Sequence, residues 1–209
     1  MAFQGKGILG GFSGKVGNVM GYSRNGKDII QSLGKKPNSA SNVVLDWQPL
    51  VMIDPRGCII NGDTVTRNGF VGGGNDGARS PYIMANTYGG IGTNIEALTG
   101  SFMLGLKNLP DRYNYRFHKH VVQIENNRYR IFRYSVPLTA FINVTSGSKI
   151  RLIANKKTTK VFIALSGGRF NMAFDYNEAP DADIYGFVNM FVFGGVANKL
   201  VYAGGKITT

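Results

Sequence analysis

The sequence predicts an all-β protein: one antiparallel, sandwich or jelly-roll-like domain preceded by a glycine-rich arm that contains a β-hairpin, with at most one or two short helices. Three observations carry this. Glycine is very frequent, 29 of 209 residues, which suits turns and close backbone contact and disfavours long helices. From residue 113 onwards, runs of β-branched and aromatic residues follow one another ("YNYRFHKHVVQI", "RYRIFRYSV", "LTAFINV", "KIRLIA", "TKVFIALS", "RFNMAF", "IYGFVNMFVF", "KLVYAG"). Turn signals such as Asn-Asn, Ser-Gly-Ser and Gly-Gly separate them at the spacing of a sandwich or barrel.

Taken in order, residues 1–36 hold nine glycines, and "KKPNSASN" at 35–42 reads as a linker. The expected division is an arm with its linker at 1–42 and a single β-rich domain at 43–209. Within the arm, "GYSRNGKD" runs Gly21, four residues, then Gly26-Lys27, the spelling of a phosphate-cradling loop. Such a loop needs Ser or Thr after the lysine, to hold magnesium, and a helix to follow. Here Asp28 follows, and "DIIQSLGKKP" soon meets glycine and proline. Asn25-Gly26 as a two-residue hairpin turn needs nothing further. The run "GKGILG" at 5–10 fits a dinucleotide-binding fingerprint, but only four residues precede it and no strand can feed it.

In the main domain, "NVVLDWQPLVMI" is strand-like with Pro49 interrupting, hence an edge or two short strands. "CIINGDTVT" is a hairpin turning at Asn61-Gly62. "GGGNDG" at 72–77 reads as a mobile loop. The best helix candidate is 93–110: Thr93 and Glu96 form a capping box, Ile95, Leu98, Phe102 and Leu106 share a helical face, and Pro110 stops the run. In "KIRLIA", Lys149 and Arg151 alternate with Ile150 and Leu152, so the two cations are expected to face water or a polyanion.

The opening run "ILGGFSGKVG", followed by "IIQSLGKK", resembles the start of a family of small proteins of Bacteroidetes-type bacteria and their phages, to which no activity is assigned. The resemblance covers about the first 36 residues. It departs at Gln31 and Gly34, where that family tends to carry Arg and Pro. It implies a bacterial or phage setting and a docking arm, and no catalytic residues.

Charge is uneven. The net is +12; residues 1–36 carry +5 and residues 107–160 carry +10, while 37–106 and 161–209 carry −2 and −1. Two basic blocks suit a polyanion or a solvated basic face. Only 17% of residues are charged, against about 25% in typical soluble domains, which suggests surface covered by neighbours. The densest constellation is 111–135. There Arg112, Arg116, Lys119, Arg128, Arg130 and Arg133 interleave with Tyr113, Tyr115, Phe117, Tyr129, Phe132 and Tyr134. This suits single-stranded nucleic acid, or a cross-strand Arg–aromatic ladder or subunit interface.

Other chemistry is thinly represented. His118 and His120, two apart, would share a face of a strand as half a metal site or as polar strand residues. Asp175, Asn177, Glu178, Asp181 and Asp183 form an acidic loop without calcium-loop spacing, either solvated or facing a basic surface on another subunit. Cys58 is the sole cysteine and reads as a small buried hydrophobe. No nucleophile elbow, metal set or cofactor motif is legible, so catalytic, cofactor and metal residues are expected to be none. No apolar run is long enough for a membrane span, and no signal peptide is seen.

The expectation is therefore a non-enzymatic structural protein of a phage-like virion (capsid, vertex, spike or tail), made and assembled in the host cytoplasm. Its partners would be copies of itself, other virion proteins and packaged nucleic acid. Phe12, Val16, Val19, Ile29 and Ile30 would dock the arm; Arg116, Lys119, Arg128, Arg130 and Arg133 would face a polyanion. The rival expectation is a single-stranded nucleic-acid-binding protein using the same Arg/Tyr-rich surface.

Overall fold

The computed structural model describes residues 46–69, 76–81, 89–96, 101–107, 114–180, 184–191 and 195–204 in full. For 3–4, 12–16, 19–24, 27–32, 83–84 and 183 it describes the backbone pairing alone. The chain forms two compact units, Met1–Val44 and Leu45–Thr209.

The first unit is an antiparallel meander of Phe3–Gln4, Phe12–Val16, Val19–Arg24 and Lys27–Ser32, adjacent in sequence order. Arg24 pairs with Lys27, so Asn25 and Gly26 alone connect those strands. The hairpin reading of "GYSRNGKD" therefore holds, and Lys27 opens a strand where a phosphate loop would open a helix. The "GKGILG" run lies outside the described residues.

The second unit is a sandwich of two antiparallel sheets. In the larger, the order is Val136–Pro137, Arg128–Arg133, His120–Glu125, Ser101–Lys107, Asp183–Met190, Gly77–Arg79 and Ile53–Arg56; Ile142–Asn143 also pairs with Arg128–Arg133, and Ile83–Met84 with Asp183–Met190. In the smaller it is Asn171–Asp175, Thr159–Ala164, Lys149–Ala154, Gly89–Asn94, Leu200–Gly204 and Trp47–Pro49. A hairpin, Cys58–Asn61 with Thr64–Arg67, pairs with Val196–Ala197. Leu104, Val122, Ile131 and Val188 of the larger sheet share one fully buried cluster with Ile91, Ile150, Leu152, Val161 and Leu200 of the smaller. Alternation builds it: each strand sends every second side chain inward. Pro49 lies on the last strand of its sheet, where a missing N–H costs no ladder bond.

The helix expected at 93–110 does not form. Thr93 lies within the strand Gly89–Asn94, and Ser101–Lys107 is a central strand with all seven residues buried. Phe102, Leu104 and Leu106 enter the main core, while Met103 packs with Val121, Phe132 and Phe187 on the opposite face. A strand buried on both faces is apolar throughout, and such a run also satisfies a helical period. Gly105 is needed here: a Cβ would sit 2.5 Å from Phe187 Cε1 and 2.7 Å from the His120 carbonyl oxygen.

Smaller departures have local causes. The 58–67 hairpin forms, but Asn61 pairs with Thr64, so the turn is Gly62-Asp63, with Gly62 at φ 58. Tyr115–Phe117 is a 3-10 turn whose Asn114 side chain accepts from the Arg116 N–H, so the strand starts only at His120. Tyr134, at φ 54, turns the chain after Arg133 and donates its N–H to the His118 carbonyl, which leaves 138–144 with one short strand, Ile142–Asn143. The expected "GGGNDG" loop lies mostly outside the described residues; Gly77 opens a strand.

Candidate interaction surfaces

The basic constellation sits largely on one hairpin. Glu125 pairs with Arg128 across Asn126-Asn127, Asn126 having φ 49. Because side chains alternate, Arg128 and Arg130 share the outer face with Phe132, while Arg133 shares the core side with Tyr129 and Ile131. The cations thus do not line one face.

Most are already engaged. Arg128 donates to Glu125 Oε1 at 2.9 Å and lies 4.0 Å from the centre of the Phe141 ring. Arg130 donates from Nε to Gln123 Oε1 at 2.7 Å and lies 4.3 Å from the same ring and 4.7 Å from Phe132. Phe141 is therefore in cation–π contact with two guanidinium groups. Lys119 Nζ donates to Glu178 Oε1 at 2.7 Å, and Arg133 Nη2 lies 3.4 Å from Glu178 Oε2 and donates to the Tyr176 carbonyl. Arg116 is exposed and makes no ion pair among the described residues.

The acidic loop accordingly meets basic side chains of its own chain. The Lys119 hydrogen bond, opposed by partial burial and helped by the charges of Lys119, Arg133 and His120, holds the Glu178 carboxyl below its ordinary value. Burial pushes Asp175 up, but hydrogen bonds from Thr158, the Asn177 N–H and Lys160 outweigh it and leave the group lowered. The side chains of Asp181 and Asp183 lie outside the described residues.

His118 and His120 are both buried but do not share a face. His118 precedes the strand and meets Phe187 of the outer cluster at 4.5 Å with the rings tilted by 49°; His120 meets Tyr176 of the core at 4.7 Å. The Tyr176 hydroxyl accepts from the Val121 N–H and reaches the Val121 and Phe132 carbonyls, each at 3.0 Å, and burial drives its pKa upward. Tyr129 is 4% exposed and turns no free ring to a ligand; Tyr115 packs edge-on to Phe132 and Phe191, Tyr134 is exposed, and Tyr113 lies outside the described residues. Cys58 is buried, as a small hydrophobe should be, and burial raises its thiol to about 11.

Of the arm residues, Phe12 and Val16 stand on one strand, Val19 on the next, and Ile29 and Ile30 on the last; Val16 pairs with Val19, Ile30 with Gly21, and Ile29 with Tyr22.

Sequence reasoning missed Arg151. The alternation in "KIRLIA" places it beside Lys149, facing water or a polyanion. It is instead 4% exposed, 4.7 Å from the Trp47 ring and 5.5 Å from Phe170. Gly92 makes the room: a Cβ there would lie 2.5 Å from Arg151 Cδ. Burial lowers this guanidinium's pKa to about 10. The only hint in the sequence was "GGIG", glycines at a central strand opposite a large cation.

No protein-family model matches the sequence, and no curated protein does. Among solved structures the chain is similar to the TRIM65 PSpry domain (TM-score 0.50, 10% identity, 76% of this chain and 93% of that one). It is similar to stonustoxin at TM-score 0.50 and 9% identity, over 74% of this chain and 28% of the toxin chain. The SPRY domain of human HERC1 follows at 0.45 and 13%, over 78% and 100%. The likeness is one of fold. It agrees with the two packed antiparallel sheets: this is a β-sandwich of the jelly-roll-like kind.

Proposed function

We propose that this chain is a structural, non-catalytic protein of a phage-like virion, which assembles with copies of itself through its N-terminal sheet. The observation that carries the reading is the first unit: a compact stretch of 44 residues whose described strands make one antiparallel sheet. A single layer of short strands buries too little apolar surface to stand alone and needs a second layer against it. A neighbouring subunit supplies that layer, with Phe12, Val16, Val19, Ile29 and Ile30 as anchors. The low charge content of 17%, and exposed apolar side chains such as Val51, Ile59 and Val136, fit a surface that neighbours cover. The resemblance of "ILGGFSGKVG" to a phage-associated family supports the setting.

Light scattering on the full chain and on a chain lacking residues 1–42 tests this. The full chain is expected to give a mass several times its 22.7 kDa, and the shortened one the mass of a single chain. A full chain that stays monomeric, or a shortened one that assembles equally, would overturn the reading. The net charge of +12 and the exposed Arg116, without an ion pair among the described residues, favour the second reading, single-stranded nucleic-acid binding. It predicts oligothymidylate affinity that survives loss of the arm and falls steeply with salt.

A further inference from the structure

The outer face of the smaller sheet combines an apolar strip with a cation that has no counter-charge among the described residues. Met172, Phe162 and Arg151 lie side by side across Asn171–Asp175, Thr159–Ala164 and Lys149–Ala154. They point away from the core side, which Ile150, Leu152 and Val161 occupy. Leu165 and Phe170, at the two ends of the loop joining the outer two strands, are exposed with Met172, at 56%, 44% and 55%.

At one end of this strip Arg151 donates to the Thr93 carbonyl at 2.8 Å, the Ile150 carbonyl at 2.9 Å and Asn94 Oδ1 at 2.5 Å. Its buried Nε has no hydrogen-bond partner, and no carboxylate among the described residues forms an ion pair with it. Buried cations are normally matched by an anion, because losing water is costly. At the same end of the strip, Lys149 and Arg169 are exposed and make no ion pair among the described residues. The single carboxylate on the three strands, Asp175, is already held by Lys160 at 3.3 Å, by Thr158 and by the Asn177 N–H at 2.9 Å. The strip is therefore apolar along its length and positive at one end. A second copy of a +12 chain would bring more positive charge to it, and a nucleic acid, though it could meet the cations and the Phe170 ring, would leave aliphatic Leu165 and Met172 uncovered.

We propose that this strip docks an acidic, apolar-bearing segment of a different protein. The apolar side chains of that segment rest on Leu165, Phe170 and Met172, and a carboxylate meets the exposed Lys149 and Arg169, close to buried Arg151. The inference concerns the sandwich alone and stands whether or not the N-terminal sheet mediates assembly.

Fluorescence anisotropy with the full chain tests it. The probes are a labelled peptide in which Glu alternates with Leu and Val, the same peptide with Gln for Glu, and labelled oligothymidylate. The Glu peptide is expected to bind saturably, and the Gln peptide at least about tenfold more weakly. Replacing both Leu165→Ser and Met172→Ser, at exposed positions that the fold tolerates, is expected to weaken the Glu peptide at least about tenfold. The mass of the chain in solution should not change. Lys149→Ala with Arg169→Ala should weaken it and flatten its salt dependence. The proposal is overturned by no binding of the Glu peptide, by equal binding of the Gln peptide, or by binding that ignores the Leu165/Met172 variant. Loss of oligothymidylate binding in that variant would make nucleic acid the occupant, and a fall in its mass would make a second copy the occupant; either refutes the proposal. Loss of assembly on removing residues 1–42 bears on the arm and leaves this strip untouched.

Discussion

Replacing Asp76 by alanine should damage the sandwich far more than the loss of one acid from a basic protein suggests. Asp76 is 1% exposed and holds Arg67 Nη2 at 2.5 Å. Arg67, 7% exposed, also donates to the Phe191 and Gly69 carbonyls. The pair thus ties the Cys58–Arg67 hairpin to the chain beyond Asp183–Met190. The Asp76 backbone carbonyl, which accepts from the Met190 N–H at 2.8 Å and from Asn189 Nδ2 at 2.9 Å, is kept by the substitution. What is lost is the charge partner of a buried guanidinium, a loss of about 3–5 kcal/mol. With a urea slope of about 2 kcal/mol/M for a domain of this size, the unfolding midpoint should fall by roughly 2 M. Arg67→Met combined with Asp76→Leu should recover most of it, since the apolar pair leaves no stranded charge. A second reading comes from Cys58. Burial first, then the Asp76 carboxylate, raise its thiol, and Arg67 opposes them. Without Asp76 one of the two raising influences is gone while Arg67 still opposes burial, so alkylation of the native protein at mildly alkaline pH should speed up. A loss below about 1 kcal/mol, the range of exposed pairs, together with unchanged Cys58 reactivity, would refute the account.

Further outcomes are expected at other sites. Tyr176→Phe should cost about 1–3 kcal/mol in urea titration, because the Val121 N–H and the Phe132 carbonyl lose a buried hydroxyl partner. Gly105→Ala should cost about 1–3 kcal/mol through overpacking against Phe187 and the His120 carbonyl. For Glu178 the folded pKa lies below the unfolded one. Its contribution is therefore present above the unfolded value of about 4.3 and is lost as pH falls through the lower folded value. Melting curves of Glu178→Gln and the parent should differ near neutrality and converge in acid.

Strand after strand was legible in "KIRLIA", "TKVFIALS" and "KLVYAG", because a half-buried strand writes its alternation into the text. Asn25-Gly26 was legible because few other residues turn a chain so tightly. The stretch 93–110 was misread for the opposite reason. When both faces of a strand are buried the alternation vanishes, and "SFMLGLK" satisfies either period. The cations were misplaced where a neighbour distant in sequence decides. Arg133 turns inward to Glu178, and Arg151 goes under Trp47 and Phe170. Nothing local to "RYRIFRYS" or "KIRLIA" names those partners.

The amino-acid order by itself determined the class: antiparallel strands, glycine-rich turns, a separate N-terminal segment and an excess of positive charge. These are local properties, set by backbone freedom, branching at Cβ and periodicity over a few residues. Only the tertiary structure decided which cations remain available. Glu178, Gln123, Phe141 and Trp47 reach them across sheets and loops, and the work of desolvating a charge depends on everything packed around it.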